Sequence, residues 1–335
     1  MNIEVKVDKR TELLGVIMLL SKYNEKYPQL LEECNNKEYR EKVFETFDKY
    51  KNEKAIKLFN KIINKLSFNY DAPVSLFLQL NEDFSYDELD VYPFYNRLGQ
   101  SPIVLDFLKE LPSFSKKINF EEYYKSNKDF YMSIIQSSKE RIFADSIDSF
   151  MNYFYKIDLS DRKFIINLMP YGTRGNYGTH FKNTVCSNVG LKGGESITFI
   201  EEDDFGTLPL HEFSHSIINP LTDKYSDISN EFFSDIMGIM SKKAYGATNT
   251  IINEHVIRSI EIVYLRKFLK ENKVADCEQV RQNKRGFKYI DFCVEQLEKY
   301  FDNVDKYKDF EEFYPTFLSN FKQLNEKEEI DCEKE

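Results

Sequence analysis

The chain has 335 residues, 41% hydrophobic and 15% aromatic, with 29 Phe, 22 Tyr and no Trp, which excludes a disordered polypeptide. Its net charge of −10, unrelieved by any basic patch interleaved with aromatic residues, argues against nucleic acid as a partner. Five cysteines (Cys34, Cys186, Cys277, Cys293 and Cys332) without tight spacing point to free thiols rather than a disulfide framework.

The chain opens Met-Asn-Ile-Glu-Val-Lys-Val-Asp, without the basic end and apolar core of a secretory leader, and no apolar run approaches a membrane span. The expected location is cytoplasmic, or secreted or surface-attached if a leader has been removed.

Ile3, Val5 and Val7 alternate with polar residues, so residues 2–8 read as a short strand. A helix is expected from about Thr11 to Tyr23, then one or two charged amphipathic helices over 37–66. Val74 to Leu80 reads as a strand or a short buried helix. Pro93, Gly99, Pro102 and Pro112 divide 85–114 into short helices. Aromatic and aliphatic residues at helical spacing predict long helices from Phe120 to Ile157, their aromatic stripe being core.

The texture then changes. Lys163–Met169, Lys182–Asn188 and Glu195–Glu202 read as three short strands, a small antiparallel sheet packed on the helix that follows. Helices are expected again at about 224–243, 249–270, 289–301 and 307–324, with the acidic last ten residues frayed. The class is therefore α+β, mostly helical. The expected partition is a helical N-terminal region (1–157) and a catalytic region (158–335), which could equally pack as one domain.

The helix after the sheet carries the chemistry. Residues 207–219, Thr-Leu-Pro-Leu-His-Glu-Phe-Ser-His-Ser-Ile-Ile-Asn, contain His-Glu-x-x-His at His211, Glu212 and His215. Positions four apart share a helix face, so both imidazoles can converge on one metal ion. Glu212 lies about 100° around the helix, placed to reach a water rather than the metal itself. Leu210, Phe213 and Ile217 form an apolar stripe away from the histidines, Pro209 suits the first turn, and Pro220 is expected to end the helix.

A catalytic zinc takes three protein ligands. Glu254 is one candidate for the third: with Arg258 and Glu261 it forms a narrow polar stripe on an otherwise apolar helix, where an ionised group needs a partner. A plain Glu254–Arg258 salt bridge is the competing reading of that stripe. Glu231, four residues before Asp235, is a second candidate and resembles the thermolysin family's third-ligand helix, although only a short connection separates it from His215. His255, His180 and Cys186 are weaker candidates, Cys186 being similar to the one-Cys, two-His arrangement of peptide deformylases.

The run from His211 through Pro220-Leu-Thr-Asp-Lys-Tyr225, then Ala244-Tyr-Gly246, then Ile252-Asn-Glu254 to Arg258, resembles a bacterial domain family of unknown function expected to be gluzincin-like HExxH zinc metallopeptidases. The opening Val5-Lys-Val-Asp-Lys-Arg-Thr-Glu-Leu-Leu14 is similar to that family's start. The resemblance implies His211, His215 and Glu254 as zinc ligands with Glu212 as base. Where that family often has Trp after Tyr-Gly, this chain has Ala247-Thr248.

The expected function is a Zn2+-dependent peptidase acting on a peptide or protein substrate, with Glu212 as general base and Tyr245, His255 or Arg258 stabilising the oxyanion. Strands around 174–188, with glycines at 172, 175 and 178, offer a sheet edge for a substrate strand, or simply turns. The alternatives are a non-catalytic metal-containing binding protein and a deformylase-type amidohydrolase.

Overall fold

A computed structural model describes residues 3–332 apart from 29–36, 88, 90–100, 140–141, 172–176, 193–197, 200–205, 230–235 and 244. The class is α+β and mostly helical. Two compact units interleave along the chain, whereas the expected partition had a single boundary near residue 158. One unit comprises residues up to 144 and 162–209, the other residues 145–161 and those from 210 onward.

The first unit holds the sheet. Its strands are β1 (Ile3–Lys6), β2 (Lys163–Met169), β3 (Tyr177–Phe181) and β4 (Thr184–Lys192), in the order β1-β2-β4-β3, with the two-residue β5 (Thr198–Phe199) paired to β4. The sheet is mixed, which corrects the antiparallel expectation: β1 runs parallel to β2 and β2 parallel to β4, and only β3 and β5 are antiparallel to β4. The reason is long-range pairing. Ile3 lies opposite Phe164, and a parallel partner needs a crossover, here supplied by all the helices between them. Strand β2 is buried at every position after Lys163, the continuous apolar run of a central strand.

The helix Lys9–Leu20 packs as the centre of this unit, buried from Thr11 to Leu20. Asp8 caps it: its carboxylate accepts from the Arg10 backbone N–H at 2.9 Å and pairs with the Arg10 guanidinium at 2.7 Å. Gly15 on this helix sits against Tyr171 so closely that there is no room for a β-carbon. The helices Lys37–Phe47, Lys54–Lys65, Asp71–Leu78 and Pro102–Lys117 close the core with Phe47, Phe59, Phe77 and Phe107. The stretch read as strand or helix is therefore helix, and 102–117 is one helix that accommodates Pro112.

The second unit is helical. Tyr155, at the end of the helix Ala144–Tyr155, donates to Ser214 Oγ at 2.8 Å, and Tyr300 donates to the Phe154 carbonyl at 2.7 Å. The rings of Phe154, Tyr300, Phe310 and Phe313 pack against one another among these helices, Tyr300 stacked on Phe313 and edge-on to Phe154. The helix Leu208–Lys224 begins where Pro209 was expected to fit but runs on past Pro220. Proline inside a helix costs roughly 3 kcal/mol; beyond it Leu221 and Thr222 are buried, and Thr222 Oγ1 shares a 2.6 Å hydrogen bond with Tyr314, which offsets that cost. The helix Asn272–Lys284 was unexpected, and the last helix runs from Phe310 to Cys332 where fraying was expected. Among the described residues no helix is long and apolar enough to cross a membrane.

Candidate metal centre

Two helices of the second unit build the site. Leu208–Lys224 supplies His211 and His215, whose rings meet edge-on with centroids 4.9 Å apart. Thr248–Val263, a helix buried on nearly all sides, supplies Glu254. Its apolar residues Ile251, Ile252, Val256, Ile257 and Ile260 face neighbouring helices, so its charged residues are left to satisfy one another or a ligand.

The three groups converge. His211 Nε2 is 3.2 Å from His215 Nε2, Glu254 Oε1 is 3.5 Å from His215 Nε2, and Glu254 Oε2 is 3.8 Å from His211 Nε2. Ligands about 2.1 Å from a tetrahedral zinc stand about 3.4 Å from one another. The observed separations bracket that value.

The tautomers give a second reason to expect a cation. His211 Nδ1 lies 3.0 Å from Glu261 Oε2, and His215 Nδ1 lies 3.1 Å from Asn219 Oδ1. Both oxygens are acceptors, so each Nδ1 carries the proton and each Nε2 presents a lone pair. Burial pushes the His211 imidazole well below its usual pKa, so it is neutral. Two lone pairs and a carboxylate thus face one another across a small buried space, an arrangement that a positive ion relieves. Among the described residues, His211, His215 and Glu254 are the group able to hold a metal ion.

Arg258 fixes the carboxylate. Its Nη2 donates to Glu254 Oε2 at 2.8 Å and to Tyr245 Oη at 3.3 Å, while the Phe287 ring lies 4.6 Å beneath the guanidinium. Burial alone would raise the Glu254 carboxyl, but the groups around it more than offset it, holding it below the usual range. Since His211 is neutral, Arg258 is the cation that counts. The salt bridge offered as a competing reading is present, and it uses one oxygen while the other faces His215.

Glu212 is on the same turn as His211 and partly exposed. Tyr245 is also partly exposed, and burial raises its phenol. His255 is fully buried, with Nδ1 2.7 Å from the Ile251 carbonyl. Glu231, Asp235, Gly172 and Gly175 lie outside the described residues, while Gly178 pairs with Ser187 inside the hairpin. His180 and Cys186 belong to the other unit, where Cys186 is part of the apolar core and burial pushes its thiol up to about 12. A thiol held protonated is a poor metal ligand.

Sequence reasoning missed two residues. Glu261 was visible only as the third member of the polar stripe, and Asn219 could have been found from its place one turn after His215.

The family model for Domain of unknown function (DUF4932) matches residues 3–319. The chain belongs to this family. No curated protein and no solved structure matches it. The clearest chemical feature of this DUF4932 chain is the His211, His215 and Glu254 group.

Proposed function

We propose that this chain is a zinc-dependent peptidase with a gluzincin-like site, His211, His215 and Glu254 holding the ion. The observation that carries the reading is the convergence of two Nε2 lone pairs and one carboxylate, with each opposite ring nitrogen tied to an acceptor oxygen. Two imidazoles and one carboxylate are the donor set of catalytic rather than structural zinc sites, which keep a fourth position open. Zinc in such a set supplies Lewis acidity, lowering the pKa of water toward about 7 and polarising a carbonyl.

The protein's own groups do the rest. Glu212, on the ligand helix and reachable from solvent, takes the proton of the attacking water and passes it to the leaving amine. Tyr245, the partly exposed phenol beside Arg258, is the donor for the oxyanion. Arg258 acts through Glu254, as a positioning residue, because its guanidinium is already engaged by Glu254, Tyr245 and the Phe287 face. The intact base favours an enzyme over a metal-containing binding protein, and the buried Cys186 thiol weighs against a deformylase.

Metal analysis of the purified protein tests the site: close to one zinc per chain is expected, with Glu254→Ala reducing it and Glu231→Ala leaving it intact. Glu212→Gln should retain zinc and lose hydrolysis of a casein or mixed-peptide substrate. Hydrolysis that persists undiminished in that variant sinks the assignment of the base.

A further inference from the structure

Arg258 and Glu254 stand one helical turn apart, their side chains only 12% and 8% exposed. A buried pair of this kind commonly closes as a fork on a fork, with two parallel N–H···O bonds to the two carboxylate oxygens. This pair does not close. Nη2 alone reaches the carboxylate, bonding Oε2 at 2.8 Å, and it also donates to Tyr245 Oη at 3.3 Å. Among the described residues Arg258 Nε is buried with no hydrogen-bond partner, although it carries one of the five donors of a guanidinium. Oε1 meanwhile faces His215 Nε2 at 3.5 Å, and that nitrogen presents a lone pair, its ring proton being on Nδ1 against Asn219. A buried donor left unpaired beside an acceptor it does not use is unfavourable, and a purely structural salt bridge would remove the defect by turning one side chain.

The packing around the guanidinium prevents that turn. Its carbon lies 4.6 Å over the Phe287 ring, which sets its plane. Nη1 donates to Gln282 Oε1 at 3.5 Å, and the Gln282 amide is itself oriented by its Nε2, which donates to Glu278 Oε1. Gln282 and Phe287 are each 1% exposed, so this clamp has little room to shift. The guanidinium is held on its face and through Nη1, which leaves Nη2 as its contact with the carboxylate.

We propose that Arg258, set by Phe287 and Gln282, makes Glu254 a one-oxygen ligand and thereby selects the ion. Oε2 is committed to the guanidinium, and Oε1 is the oxygen offered to the cation. A site with two imidazole nitrogens and one carboxylate oxygen suits zinc or cobalt, whereas manganese and calcium take larger shells of oxygen and accept carboxylates through both oxygens. This rests on the metal site of the peptidase reading and adds what discriminates between ions there.

The test reads metal binding and not hydrolysis, which keeps its failure distinct from that of the peptidase reading. Dissociation constants for Zn2+ and Mn2+ are measured by chelator competition on the wild-type protein, Arg258→Met and Arg258→Lys, with helical circular dichroism as the control for folding. Losing a positive charge beside the site raises the affinity for both divalent ions in the same proportion, so a merely electrostatic role leaves their ratio unchanged. Freeing Oε2 favours manganese selectively. In Arg258→Met the preference for zinc over manganese should fall about tenfold, while Arg258→Lys, which keeps a donor for Oε2, should stay within about twofold of wild type. A ratio unchanged in Arg258→Met, or one that falls equally in Arg258→Lys, overturns the proposal. The wild-type protein gives a reading that needs no variant: loaded with Co2+ it should show the intense visible absorption of a four-coordinate ion, and the weak bands of a six-coordinate one overturn the proposal as well. The expected ratios in a protein that cuts no peptide would leave the role of Arg258 standing and sink the peptidase reading, whereas wild-type protein that binds neither ion removes both.

Discussion

His211 Nδ1 lies 3.0 Å from Glu261 Oε2, a contact between residues fifty positions apart that fixes which ring nitrogen faces the metal-binding space. A carboxylate behind a ligand imidazole sets its tautomer, holds its plane and raises its basicity. Glu261→Ala should therefore weaken zinc binding by about 10- to 100-fold without altering the helical circular dichroism. Competition with a chromophoric chelator measures it. An unchanged affinity would mean that the ring is oriented by packing alone.

Removing metal should destabilise the chain. The two ligand-bearing helices bring His211, His215 and Glu254 together in the folded state only, so binding couples to folding. Free zinc at about 100 times its Kd should add about 2.7 kcal/mol relative to the chelated protein. Thermal melts with chelator and with zinc restored check this, and a Tm indifferent to zinc would contradict a folded-state site.

The Glu12 carboxyl, fully buried in the first unit, should give stability a pH dependence. Burial raises it to about 7, although Tyr131 and Tyr39 donate to its Oε2 at 2.7 and 3.0 Å. The folded pKa lies above the unfolded value of 4.5, so the folded state binds the proton more tightly. Its contribution is full below about pH 4.5 and is lost as pH rises through 7, about 3 kcal/mol across the window. Glu12→Gln should flatten that slope, making the variant the more stable protein at pH 8. Urea unfolding at pH 4.5, 6 and 8 decides it, and parallel curves for the two proteins would refute the argument.

Gly15→Ala should destabilise despite alanine's better helix propensity. The added Cβ would stand well inside contact distance of Tyr171 Cδ1, and both residues are buried. Overpacking of this kind costs about 1–3 kcal/mol, more than the roughly 1 kcal/mol that Ala gains over Gly in a helix. Tyr171→Leu should relieve part of the loss in a double-mutant cycle. Additivity of the two changes would show that the contact is not the cause.

The group that could hold a metal ion was legible because its signals are local. The His211–His215 spacing is one helical turn, and Glu254 stands out as a charge on an apolar helix. Glu261 belonged to the same stripe, but its partner lies on another helix, and no periodicity says which imidazole it meets. The parallel pairing of Ile3 with Phe164 was hidden for the same reason, since alternation marks a strand and not its neighbour. The helix Asn272–Lys284 escaped because it buries little beyond Ala275 and Gln282, leaving almost no apolar stripe to read. Pro220 misled because a local cost was weighed without the packing of Leu221 and Thr222 that answers it.

The interleaving of the two units has a consequence for synthesis. A ribosome finishes the sheet-bearing unit only on reaching residue 209, since β1 waits for β2 and β4 to emerge. His211 and His215 leave next, and Glu254 completes their set on a later helix. No single cut of the polypeptide yields both units whole, so a fragment ending near residue 158 would strand its first β-strand without a neighbour. Expression trials that split this protein at its apparent midpoint should give insoluble halves.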